Sequence, residues 1–453
     1  MLNIVIIEQY KLKINSFRLI YNHMRPFRII SIPFFMALSV MFFSCLSRPD
    51  SPQAKNDYGL HLLRGVTGFG LDSKGGSGGE IIKVTNLNRD GEGSFAAALE
   101  HKGPRIIVFE VAGVINLERK SLRITEPFVT IAGQTAPSPG ITLIRGGLSI
   151  QAHDVIIQHI KVRPGEAEQE KKSGWEVDGI GCAKGAWNVI IDHCSVTWST
   201  DENISPSGPR FDGAGPEEWR ENTSHNIVIS NCIIAEGLSN STHSKGEHSK
   251  GTLVHDNASG ILITGNLYSC NMQRNPLFKG GAQGVVSNNY IYNPGNAAIH
   301  FGLVESEWEG HEWLTGIMVV EGNHIEAGPD TRSNMVAGSF RGPVEVFWSD
   351  NMFTPSSDRK EFNGTFTRLE SRPFWPDGLR SIQSSEVKKN VLQNAGAFPW
   401  DRDYIDKRIT EGAADGTGRI INSENEVGGY PAFKPVYRKF NPDDWDIETM
   451  TMK

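Results

Sequence analysis

The sequence predicts an all-β chain folded as a right-handed parallel β-helix, and three observations predict it. Short β-branched runs recur through the middle of the chain, most end on a small or polar residue, and their spacing is that of about three strands. The runs are FVTIAGQ, DVIIQHI, NVIIDHC, NIVISNC, GILITGN, GVVSNN, GIMVVEGN and VEVFWSDN. They end at Gln134, Ile160, Cys194, Cys232, Asn266, Asn289, Asn323 and Asn351, at intervals of 26, 34, 38, 34, 23, 34 and 28. A unit of this size cannot bury its own apolar face, so neighbouring units must stack. A sandwich of immunoglobulin type would place strands every ~8–12 residues.

Stacking turns equivalent side chains into ladders. Asn suits such a rung because it tolerates left-handed φ and its amide can bond to the Asn above. Cys194 and Cys232 fall on adjacent rungs, where buried thiols are expected rather than a disulfide, since free cysteine is a common core residue. Before the first run, GSFAAALEHKG (93–103) reads as a short helix capped by Ser94 and ended by Gly103, placed to cover the open first coil. From about residue 396 the strand period is lost, and an irregular segment, 396–453, is expected to pack along the outside of a β-helix domain spanning 59–395.

The beginning of the chain reads differently. From Met24 the sequence MRPFRIISIPFFMALSVMFFSC sets Arg25 and Arg28 before an apolar run ending at Ser44-Cys45, the layout of an export signal over residues 1–45. The small residue before Cys45 resembles a bacterial lipoprotein signal. It predicts a lipid anchor at Cys45 on the periplasmic or outer-membrane surface, with secretion as the alternative. Residues 46–58 read as a polar tether.

The chain has 453 residues, 48 of them glycine, and a net charge of −7. No broad basic field exists to neutralise nucleic-acid phosphates, so nucleic acid is not an expected partner. The remaining cysteines, Cys182, Cys194, Cys232 and Cys270, show no zinc-ligand spacing. Against this acidic background, CNMQRNPLFKGG (270–281) places Arg274, Pro276 and Lys279 in one short connection, where proline would stiffen the loop and aim both cations one way. Upstream, THSKGEHSKGTL (242–253) carries His243, Lys245, His248 and Lys250. The two histidines lack a third metal ligand at a set spacing. Acidic candidates are Glu176 and Asp178 in GWEVDGIG and Asp201 and Glu202 in STDEN. Acids from successive coils facing one groove would suit a hard cation. Asp192 and His193 in IIDHCS are read as structural, and Trp175 and Trp198 as either core or groove residues.

Four colinear stretches resemble the pectate lyases of polysaccharide lyase family 1: VTGFGLDSKGGSGGEIIKVTNLNRDGEGSF, NVIIDHCSVTWSTDEN, NMQRNPLFKGG with VVSNNYIYN, and DRDYIDKRI with GTGRIINSENEVGGYP. Together they span roughly residues 65–430. The resemblance implies a parallel β-helix, a calcium cofactor and β-elimination of polygalacturonate by a monomeric enzyme. It implies that Arg274 is the catalytic arginine, that Lys279 binds substrate, and that Lys250, or next Lys245, holds the substrate carboxylate. It implies calcium ligands at Asp178 and Asp201, with Glu176 and Glu202 beside them. Ser205 stands where better-known members carry a further aspartate, which predicts weaker calcium binding or binding completed by substrate. Two other readings stay open at this point: a β-helix glycoside hydrolase using paired carboxylates, and a non-catalytic binder of acidic glycans.

Overall fold

The computed structural model describes residues 63–354 and 359–453. The export signal, Cys45 and the tether lie outside the described residues. Strands stack into three large sheets of 11, 9 and 10 strands among the described residues, each full coil giving one parallel strand to each, while Val436–Tyr437 of the C-terminal segment adds an antiparallel strand to the 10-stranded sheet. The 11-stranded sheet carries the β-branched runs in exact-neighbour register: Ile107, Ile131, Ile157, Ile191, Ile229, Ile263, Val286 and Val320 sit one above another and are fully buried. Each such side chain contributes about 1.5–3 kcal/mol of burial that no single coil could secure alone.

The asparagine ladder is present and buried. Asn289 Oδ1 accepts from the backbone N–H of Asn266 at 3.0 Å and from its amide at 2.9 Å, and Asn323 Oδ1 does the same for Asn289. Asn351 continues the series, and Asn266 Oδ1 takes the N–H of Cys232 at 2.8 Å. Cys194 and Cys232 are free thiols on adjacent rungs, the Cys194 N–H lying 3.4 Å from Cys232 Sγ.

Two details differ from the sequence reading. The left-handed residue is the one before each rung: His159, His193, Asn231, Gly265, Asn288, Gly322 and Asp350 have φ between 45° and 70°. The bend between sheets needs one such residue, and the rung after it is freed to turn its amide inward. Gln134 is off the ladder. It lies in the 3-10 turn Gly133–Thr135, and its amide donates to Gln158 Oε1 and to the Met450 carbonyl.

Helix Phe95–Glu100 covers the first coil as expected, with Ser94 Oγ accepting from the Ala97 N–H and Phe95, Ala98 and Leu99 buried in the core. The last strand of the coil stack is Thr367–Arg368, and helices Ser384–Asn394 and Tyr404–Asp415 then pack on the outside of the 10-stranded sheet. Asp403 caps the second helix, and with Asp406 it meets Arg163 and Lys161 in an ion cluster at most 1% exposed. The DRDYID stretch is thus a clamp holding the C-terminal segment to the coils.

Replacing Asn289 by Ala removes the acceptor of the Asn266 N–H and one donor each from the Ile263 and Ser287 carbonyls. It should cost about 2–4 kcal/mol, read from the denaturant midpoint; an unshifted midpoint would remove the ladder from the list of stabilising features.

Candidate active site

The 9-stranded sheet forms the floor of a groove. Long connections at 164–179, 207–224, 236–249 and 303–315 flank its strands and supply the walls. The candidate residues gather at the N-terminal ends of successive strands of this sheet. Asp178 precedes Ile180–Cys182, Glu202 opens Glu202–Pro206, Lys250 opens Lys250–Val254 and Arg274 precedes Leu277–Lys279. Glu202 pairs in register with Lys250, and Lys250 bridges to Gln273, so side chains far apart in sequence stand about 4.8 Å apart along the stack.

Carboxylate oxygens of Asp178, Asp201 and Glu202 lie within 4.8 Å of one another. Asp178 accepts the Glu202 N–H at 3.0 Å and the Ser205 hydroxyl. Burial, then the neighbouring Asp201 charge, pushes the Asp178 carboxyl up to about 7. Burial would also raise Asp201, but the His248 ring, hydrogen-bonded at 2.7 Å, turns its net shift downward. Glu202 is buried and ion-paired with Arg274. Arg274 itself adopts φ 65°, and its N–H donates to His300 Nε2 at 3.1 Å. Burial holds the guanidinium below its usual range.

Lys250 is 4% exposed, and among the described residues no carboxylate lies within ion-pair reach of it. Burial lowers its ammonium to about 8. A buried cation without a counter-ion is costly, and a groove built to receive an anion is a setting in which it persists.

Three sequence expectations need correction. Glu176 is outside the carboxylate cluster: its carboxylate is taken by the Ser244 N–H at 2.9 Å and the Ser244 hydroxyl. Lys279 is not a free cation beside Arg274, since its ammonium meets Asp256 at 3.1 Å and Glu307. Proline stiffens the loop, but the two cations face different carboxylates. Lys245 is exposed at the rim, its N–H donating to His243 Nδ1. Asp201 does provide a third group near His243 and His248; His243 Nδ1 accepts the Lys245 N–H, and His248 Nε2 is hydrogen-bonded to Asp201 at 2.7 Å. Trp198 is fully buried and donates to Glu236, and Trp175 donates to the Gly165 carbonyl, so neither indole N–H is offered to a sugar.

Two fungal relatives, each named probable pectate lyase C, match most of the chain. One from Emericella nidulans is 33% identical over 395 residues, 83% of this chain and 82% of its own length. One from Aspergillus flavus is 36% identical over 406 residues, 87% of this chain and 86% of its own. The chain belongs to the pectate lyase family. No family model matches it. Among solved structures, that of jun a 1, the major allergen from cedar pollen, shares the fold with a TM-score of 0.51 at 17% identity, over 73% of this chain and 92% of that one.

The sequence reading did not single out Arg210, Asp256, Glu307 and His300. Arg210 and Glu307 sit in long connections whose spacing carries no period. His300 lies in a strand, where only the register with Leu277 would have placed it beside Arg274. The IIDHCS stretch is structural. Asp192 accepts from His193 Nδ1, Ser230 Oγ and Asn231 Nδ2 at 2.7–2.9 Å. Burial opposes its charge, but these partners hold the carboxyl down at about 2. A depressed carboxyl stabilises the fold above its unfolded value near 4 and loses that contribution as pH falls through 4 toward 2. Asp192→Asn should therefore lose about 2 kcal/mol at pH 7, with the deficit closing by pH 2 and turnover within about twofold of wild type. A pH-independent deficit would remove the charge from the explanation.

Proposed function

We propose that the protein cleaves de-esterified homogalacturonan by β-elimination, leaving unsaturated oligogalacturonides. The observation that carries this reading is one groove floor bearing a three-carboxylate cluster, a base candidate and an unpaired buried ammonium, in a chain of the pectate lyase family. Elimination removes the C5 proton beside a uronate carboxylate and expels the C4 oxygen. The proton is hard to remove while that carboxylate keeps its full charge, so the site must neutralise it.

The residues fit calcium. Asp178, Asp201 and Glu202 offer hard oxygen donors within 4.8 Å of one another. Held there, calcium supplies positive charge to the substrate carboxylate and to the charge that develops at C5. Ser205 contributes a neutral oxygen where a fourth charge would stand, which weakens the site. Lys250 meets the substrate carboxylate with its ammonium. Arg274, on the neighbouring coil, faces the same space and takes the C5 proton. A guanidinium gives up its proton reluctantly, and here burial lowers that cost. His300 fixes the Arg274 backbone from behind. Hydrolysis would have no use for Arg274 and Lys250 beside the acids, and a simple binding protein would not need Arg274.

Secretion accords with a polymeric substrate, and we propose export through the segment ending near Cys45. Both relatives compared are fungal, so they lend no support to a bacterial lipid anchor there.

Mass spectrometry of the products from polygalacturonate tests the reaction. Elimination gives fragments one water lighter than hydrolysis does, and hydrolytic masses would refute the proposal. Arg274→Lys should lower kcat by at least about 100-fold while polygalacturonate binding falls by less than about tenfold. Retained turnover would remove Arg274 from its role.

A further inference from the structure

The C-terminal ends of the same strands carry a second cluster. Lys279 closes its strand, Asp256 follows Lys250–Val254, Arg210 follows Glu202–Pro206 and Glu307 follows Ile299–Gly302. Arg210 meets Asp256 at 3.1 Å and Glu307 at 2.9 Å, while Lys279 meets Asp256 at 3.1 Å and also contacts Glu307. Two cations thus share two carboxylates, and the carboxylates are not alike. The Asp256 side chain is 0% exposed and also accepts from Trp308 Nε1 at 3.0 Å. The Glu307 side chain is 40% exposed. Asp256 is a fixed counter-ion; Glu307 closes the pair from the solvent side.

We propose that Glu307 stands in for a uronate carboxylate, and that Arg210 joins Lys279 to form a substrate carboxylate subsite which Glu307 must vacate. The proposal rests on the pectate lyase reading and adds Arg210 and Glu307 to it. It also explains how Lys279 can bind substrate although its ammonium is engaged. With Asp256 retained, the two cations keep one net positive charge once Glu307 leaves, the charge that one uronate carboxylate balances. Trp308 is fully buried and anchors the backbone beside Glu307, so the carboxylate can leave by side-chain rotation. The subsite lies across the strand from Arg274, and Glu307 is close enough for its charge to act on that guanidinium.

Steady-state kinetics on polygalacturonate with calcium, reading unsaturated product, tests this with the full chain. Glu307→Gln removes the competing charge and should lower KM by roughly 3- to 10-fold, so that kcat/KM rises. Arg210→Gln should raise KM by a similar factor, and Glu307→Ala should repeat the effect of Glu307→Gln. Thermal unfolding of each variant shows whether it is folded, and Glu307, being exposed, supplies the decisive comparison. A KM for Glu307→Gln equal to or above wild type, with wild type active, overturns the proposal and leaves the lyase reading intact. No unsaturated product from wild type overturns the lyase reading, and this subsite with it.

Discussion

A coil of this chain cannot close its own core, and that constraint organises the molecule. Apolar faces are buried by the coil above and the coil below, so strands must stay in register over the whole stack. The ladder from Cys194 through Asn351 enforces it, since a slipped coil would leave buried amides without partners. Register in turn aligns residues that the sequence scatters. Asp178, Glu202, Lys250 and Arg274 come from separate turns of the chain and meet because their strands begin at one edge of one sheet.

Within the groove, nearly every charge is balanced by a neighbour. Glu202 is matched by Arg274, and Lys279 with Arg210 by Asp256 and Glu307, while Asp201 is hydrogen-bonded to the His248 ring. These pairs keep the charges tolerable in a partly dry site, since breaking a buried pair costs more than forming it returns. The exceptions mark where a ligand is wanted. Lys250 is a buried cation that forms no ion pair among the described residues, and burial, then the Asp201 charge, pushes the Asp178 carboxyl toward neutrality. Under the proposed reaction, an acidic polymer would supply the anion for Lys250 and a hard cation the counter-charge for Asp178.

Much of the fold was legible because period and residue type report it directly. The recurring β-branched runs gave the coil, the asparagines gave the ladder, and Ser94 with its alanines gave the cap. The left-handed position was misassigned by one residue, because the pattern shows that a turn holds Asn but not which residue makes the bend. The site was legible coil by coil and illegible across the groove. Asp178, Asp201, Glu202, Lys250 and Arg274 converge as their motifs suggested. Glu176 and Lys279 are in the right coils with the wrong partners, because spacing along the chain does not say which way a side chain turns. Arg210 and Glu307 carried no signal, being in connections free of the strand period.

The central claim is that a cation held by carboxylates of successive coils makes a uronate acidic enough for Arg274 to act. The most direct test is ultraviolet absorbance during incubation with polygalacturonate, first with calcium and then after a chelator is added. The account predicts steady growth from the conjugated unsaturated uronide, arrest on chelation and recovery when calcium is restored. Growth that continues undiminished in excess chelator would contradict it.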